Sequence, residues 1–408
     1  MFGLKYLVCF VSVLCGLHLT AMAAEEERSV SDYLLPVVEL LSRGDPALMP
    51  AGGNEVEVIT DGRVLWERML QDIRSARKSI RMEYYRWAPD EAGDQIRKAV
   101  LEKLAEGVQV QILIENFCSP FFPKAFYQKM EKAGARLLYF TDTEGSFSRF
   151  FRGIRHRDHR KILVVDEEIG YTGGTNIVKK YRDEWRDTNV RIKGPAVALL
   201  SRFFDEMWEQ RGGAPVAATP SGPQPVEGGV PVQLCAYGAG DSIMVKAICK
   251  MLDLARERVY IQTPYFCPTE NILRAMREAA ERGVDVRILL PREVDEPFMK
   301  LANESFYEEC LEHSVKIYEY TPRFDHTKMI LCDRSLSLLG STNLDYLSLL
   351  INYEVAALVC DAALTERLSS EFLRLLDDTE EITLEGARAT FRKDRHDRSF
   401  WHGLRKRL

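Results

Sequence analysis

The chain has 408 residues, 46% of them apolar and 28% charged, with a formal net charge of −6. That composition supplies enough apolar surface for two full cores and excludes both a disordered chain and a polytopic membrane protein. The acidic balance speaks against a general nucleic-acid binder, which carries a basic surplus, so no nucleic-acid partner is expected.

In chain order, the first feature is a leader. Lys5 precedes an apolar run from Tyr6 to Leu19, followed by Thr20-Ala21-Met22-Ala23 and then Glu25-Glu26-Glu27. A basic start, an apolar stretch and an Ala-x-Ala end predict a secretory signal over residues 1–23, cut after Ala23. It would export a bacterial, membrane-associated protein to the periplasmic face. The alternative is an uncleaved anchor, because the run is nearly long enough to span a bilayer. Seven of the nine cysteines lie beyond the leader, in no paired spacing, so a disulfide framework is not expected. No C-x-x-C or His-x-x-x-His spacing points to a metal, and no cofactor is expected.

Residues 24–211 read as a first unit, 212–231 (GGAPVAATPSGPQPVEGGVP) as a Gly/Pro-rich linker, 232–380 as a second unit and 381–408 as a basic tail. The units resemble each other. Ala76-Arg77-Lys78-Ser79-Ile80 runs into the strand-like Arg81 to Tyr85, as Ala255-Arg256-Glu257-Arg258-Val259 runs into Tyr260 to Tyr265. A helix follows in each and ends at Gly107 or Gly283, where glycine suits the C′ position. The runs 108–114 and 284–290 then read as strands. Strand, helix and strand at this spacing predict βαβ units, hence an α/β fold of two tandem units, each a mostly parallel sheet flanked by helices.

Within this frame the chain writes one pattern twice: His159-Arg160-Lys161-Ile162-Leu163-Val164-Val165-Asp166 and His326-Thr327-Lys328-Met329-Ile330-Leu331-Cys332-Asp333. The two histidines stand 167 positions apart, and the same offset joins Gly173 to Gly340, Thr175 to Thr342, Asn176 to Asn343 and Asp187 to Glu354. In a strand, residues two apart share a face, so His159 and Lys161 point the same way, as do His326 and Lys328. Asp166 has the opposite parity and belongs at the strand end as an orienting or structural group. Asn176, Asn343 and Ser341 follow a second strand, where glycines let a turn approach its neighbours closely and an amide can face an anion. Asp187 and Glu354 each stand 28 residues past a histidine, and either carboxylate can take a histidine Nδ1–H. Two histidines, two lysines and two asparagines meeting across a pseudo-twofold axis make a site for a tetrahedral phosphoryl group. One histidine attacks phosphorus while the other protonates the departing alcohol.

On these residues the chain resembles the phospholipase D superfamily, whose mark is the duplicated H-x-K-x4-D, and most of all the bacterial cardiolipin synthases of the short, two-motif type. The resemblance spans residues 55–380 and includes Trp185-Arg186-Asp187-Thr188, Thr263-Pro264-Tyr265-Phe266 and Asn352-Tyr353-Glu354. It implies two phospholipase-D-like units sharing one active site, with His159, Lys161, Asp166, His326, Lys328 and Asp333 as the catalytic set. It further implies that His159 becomes a phosphohistidine and that His326 serves as general acid and then base. The implied reaction moves a phosphatidyl group from phosphatidylglycerol to a second lipid alcohol, giving cardiolipin and glycerol. Hydrolysis of phospholipid, or of nucleic acid by a nuclease, is the competing activity. Aromatic and basic residues interleave in 119–126 and 147–152, and the tail from Arg388 to Leu408 is basic around Phe400-Trp401. These segments suit an anionic membrane surface.

Overall fold

A computed structural model describes residues 35–115, 124–140, 156–215 and 223–393. The leader, residues 119–123 of the aromatic-basic stretch 119–126, the whole of the stretch 147–152, and the tail beyond 393 lie outside the described residues.

The first half runs β1 (Ala51–Ile59), helix Gly62–Ser75, β2 (Ser79–Tyr84), helix Glu91–Ala105, β3 (Gln109–Ile114), helix Lys124–Lys132, β4 (Arg136–Tyr139), β5 (Lys161–Val165) and β6 (Ile169–Gly173). The short helix Lys179–Asp183, β7 (Asn189–Lys193) and helix Val197–Gln210 complete it. The second half runs β8 (Val230–Tyr237), helix Ile243–Leu254, β9 (Arg258–Gln262), β10 (Phe266–Cys267), helix Glu270–Glu281, β11 (Asp285–Pro291), helices Pro297–Glu304 and Tyr307–Glu312, and β12 (Lys316–Tyr320). It continues with β13 (Met329–Cys332), β14 (Leu336–Gly340), β15 (Leu344–Asp345), helix Tyr346–Leu350, β16 (Glu354–Cys360), helix Ala362–Leu375, β17 (Thr379–Glu381) and helix Leu384–Lys393. Local chemistry explains the punctuation. Asp61 and Asp90 accept backbone N–H bonds at the starts of their helices. Gly107 and Gly283 take φ of 87° and 91°, left-handed values that let the chain turn out of a helix into a strand.

Among the described residues fifteen strands form one continuous sheet, in the order β17-β12-β11-β9-β13-β14-β16-β8-β1-β7-β6-β5-β2-β3-β4. The α/β class and the repeat are as expected, and the βαβ units pair in parallel, β2 with β3 and β9 with β11. The expectation of mostly parallel sheets is corrected: parallel pairing is confined to β2-β3-β4 and β9-β11-β12, and every other neighbour in the large sheet is antiparallel. The reason lies in the connections. β5 to β6 and β13 to β14 are joined by turns of a few residues, which can only return the chain antiparallel.

The two halves meet edge to edge where β1 pairs with β8. They also share apolar packing: Val58, Ile162, Val190 and Leu200 of the first half cluster with Leu234, Met329, Val355 and Phe372 of the second. One helix of the first half crosses the division too. Val37, Val38 and Leu41, on a helix over 35–42, pack into the core of the second half, and Gln233 Nε2 donates to the carbonyls of Val38 and Leu48. Within the second half, Ala387 is buried in that same core, while Arg388 pairs with Glu308 and Glu312.

Candidate active site

β5 and β13 are buried on both faces, so each presents its leading residues from a rigid base. The histidines precede these strands, and their backbones are pinned by the opposite half. His159 N–H donates to the Tyr353 carbonyl at 2.9 Å, and His326 N–H donates to the Arg186 carbonyl at 2.7 Å. Tyr353 and Arg186 return the favour, donating to the carbonyls of Arg157 and Phe324. Each pinning residue stands one position before a carboxylate, and this decides which carboxylate meets which histidine.

The pairs are crossed. His159 Nδ1 faces Glu354 of the second half at 2.9 and 3.1 Å. His326 Nδ1 faces Asp187 of the first half at 2.7 Å. All four groups are buried. Each carboxylate has further donors, Ser341 Oγ for Glu354 and the Thr188 N–H for Asp187. Gly174 is required beside Asp187, because a Cβ there would lie 2.2 Å from its Oδ1.

The lysines fold back on their own histidines. Lys161 Nζ donates to the His159 carbonyl at 2.7 Å, and Lys328 Nζ donates to the His326 carbonyl while lying 2.9 Å from Nδ1. Burial, followed by the charges of the two lysines, holds His159 well below the usual imidazole range. Burial and Lys328 do the same to His326. Burial lowers Lys161 to about 7 and Lys328 to about 8. It raises Asp187 to about 6 and Glu354 to about 8. Burial disfavours the charged form of every one of these groups, and the two lysines and two histidines are the ones whose charged form an anion would favour.

The remaining residues singled out in the sequence separate into two groups. Asn176 and Asn343 belong to the surrounding frame: Asn176 Oδ1 accepts the Arg86 N–H and its Nδ2 donates to Tyr181 Oη, while Asn343 Nδ2 donates to Ser348 Oγ. Asp166 and Asp333 are not brought to the site, which corrects their place in the catalytic set. They sit at the far ends of β5 and β13 with φ of 54° and 48°. Asp166 accepts the N–H groups of Arg77, Lys78 and Ser79, and Asp333 those of Arg256, Glu257 and Arg258. They fasten the turns that enter β2 and β9.

Several site residues escaped the sequence reading. Asp158 and Asp325 stand one position before the histidines at the same offset of 167, a signal that was there to be found. Asp158 accepts from Arg160 and its N–H donates to Glu115, while Arg160 also contacts the buried Glu83. In the second half Gln262 donates to Asp325, and the place of Arg160 is taken by Arg186 from the first half, which reaches Thr327, Asp325 and Glu371. Aromatic rings wall both imidazoles, Tyr85 at 4.9 Å from His159, and Tyr181 and Trp185 at 5.1 and 5.6 Å from His326.

Known proteins resemble the chain over most of its length. The family model described as cardiolipin synthase, PLD-like domain, matches residues 69–208 and 248–376. The chain is 34% identical over 349 residues to cardiolipin synthase A of Pseudomonas entomophila, covering 83% of this chain and 72% of that protein. It is 34% identical over 343 residues to the cardiolipin synthase of Halalkalibacterium halodurans, covering 81% and 67%. In fold it is similar to phosphatidylserine synthase from Haemophilus influenzae, with a TM-score of 0.65 at 14% identity over 85% of this chain and 94% of that one. Polyphosphate kinase from Porphyromonas gingivalis aligns at a TM-score of 0.58 and 12% identity, over 87% and 53%. With both repeats matched and relatives 34% identical over more than four-fifths of this chain, the chain belongs to the phospholipase D superfamily as an enzyme of its cardiolipin synthase family.

Proposed function

We propose that this enzyme joins two phosphatidylglycerol molecules into cardiolipin and glycerol through a phosphohistidine on His159. The observation that carries the reading is the crossed pair of buried histidine–carboxylate couples with a lysine folded against each. The anionic diester binds between Lys161 and Lys328, and its charge draws both the lysines and His326 toward their protonated forms. His159 is neutral, with Nδ1 engaged by Glu354, so Nε2 attacks phosphorus. The bond from phosphorus to the glycerol oxygen breaks, and His326 Nε2 delivers its proton to that oxygen while Asp187 balances the imidazolium. Neutral His326 then takes the proton from the hydroxyl of a second phosphatidylglycerol. That oxygen attacks phosphorus, the phosphorus–nitrogen bond breaks, and His159 is restored. The reaction is sited at an anionic membrane surface, and no helix among the described residues is long and apolar enough to cross a membrane.

The test is purified protein with phosphatidylglycerol in neutral-detergent micelles. Cardiolipin and glycerol in equal amounts support the reading; phosphatidic acid as the sole lipid product overturns it in favour of hydrolysis. His159→Ala should abolish turnover and remove the acid-labile phosphoenzyme.

A further inference from the structure

The two halves place matched helices beside the reaction centre, and their surfaces are opposite in kind. The Lys179–Asp183 helix (KKYRD) follows Asn176, and the Tyr346–Leu350 helix (YLSLL) follows Asn343. At the offset of 167, Lys180 corresponds to Leu347, Tyr181 to Ser348 and Trp185 to Asn352. Leu347 is 52% exposed. Its counterpart Lys180 places a cation against the wall of His326 instead. Lys180 Nζ lies 3.7 Å over the Trp185 ring, and that ring is 5.6 Å from the His326 imidazole. Tyr181, whose ring is 5.1 Å from His326, forms the adjoining wall.

The ammonium is therefore one indole ring away from the histidine. Its carboxylate partner, Asp295, stands at 3.9 Å, the outer limit of an ion pair, and is itself held by Tyr265 Oη at 2.5 Å. Burial lowers the Lys180 pKa; Asp295, Glu296 and Glu184 act against that and Arg86 with it. An indole face supports a cation without consuming its hydrogen-bond donors, so Nζ keeps protons for a further acceptor.

In-line displacement puts the departing and incoming alcohols on the side of phosphorus opposite the nucleophile. With His159 as nucleophile, that is the side of His326 and the cationic helix. An acceptor phosphatidylglycerol carries its own phosphodiester three carbons from the attacking hydroxyl. Water and free glycerol carry no such charge. We propose that Lys180, seated on Trp185, binds the phosphate of the acceptor phospholipid and thereby selects a lipid alcohol over water in the second half-reaction. The inference rests on the proposed function and names the residue that tells its two competing acceptors apart. The exposed Leu347 on the matched helix shows that the motif itself demands no lysine there.

The measurement is the ratio of cardiolipin to phosphatidic acid formed from phosphatidylglycerol in neutral-detergent micelles. Both products come from one phosphohistidine, so a change that only weakens folding or the first step scales them together and leaves the ratio alone. Lys180→Gln should lower the ratio about tenfold, the loss of one charge-assisted contact. Lys180→Arg, which keeps the cation, should hold it within about twofold of the unaltered enzyme. An unchanged ratio in Lys180→Gln, with or without a fall in total turnover, overturns the assignment. An unaltered enzyme that makes no cardiolipin at all instead removes the proposed function on which it rests.

Discussion

Each imidazole depends on a carboxylate carried by the other repeat, and the two dependencies are separable by substitution. Glu354 serves His159, so Glu354→Gln should suppress formation of the phosphoenzyme. Asp187 serves His326, so Asp187→Asn should let the intermediate form from a substrate with a good leaving group and then persist. Each change should lower kcat for cardiolipin formation by about 10²- to 10⁴-fold. Rapid-quench analysis of phosphoenzyme distinguishes the two, and equal occupancy in both variants would contradict the division of labour. The lysines add a pH dependence whose sign follows from their direction of shift. Anion binding needs the ammonium, and the free enzyme loses it as pH rises through about 7 for Lys161 and about 8 for Lys328. Hence kcat/KM should fall between pH 7 and 9. In kcat the same limb should move to higher pH, because bound phosphate favours the ammonium form. The acid limb belongs to His159, which must be neutral to attack; its depressed pKa places that limb well below 6.5.

At the scale of an element, β5 and β13 are each preceded by a histidine and followed by an anchoring aspartate. Asp166 and Asp333 adopt left-handed backbone and gather three backbone N–H groups each, work that belongs to folding. Asp166→Ala should cost about 2 kcal/mol, read as a lowered urea midpoint. Asp166→Asn should cost less, since asparagine tolerates that backbone region and keeps one acceptor. Activity below the unfolding transition should be retained in both. The parity of Asp166 in its strand already separated it from the pair His159 and Lys161, and the constant offset revealed the duplication. What the sequence left open was the partner of each histidine, because a carboxylate 28 residues downstream suits its own repeat equally well. The crossing depends on bridges between Tyr353 and His159 and between Arg186 and His326, contacts over long separations that no local periodicity encodes. The mixed sheet was missed for a related reason: helix-linked strands announce parallel pairing plainly, whereas the strands joined by tight turns carry the same apolar runs.

For the whole molecule, the shared sheet edge at β1 and β8 and the mixed apolar cluster mean that neither half encloses a finished site. Two co-expressed fragments, one ending at residue 215 and one beginning at 223, should associate and regain cardiolipin synthesis, while each alone is inactive. Co-purification of the fragments without activity would show that chain continuity itself is needed. The helix over 35–42 should be essential to this assembly although it belongs to the first fragment, because Val37, Val38 and Leu41 lie in the core of the second. Duplication of a chain ordinarily leaves one copy spare, free to decay while the other works. The crossed carboxylates withdraw that freedom: a lesion in either copy surfaces as a defect in its sibling's chemistry, so the two have become a single inheritance that can only be kept or lost whole.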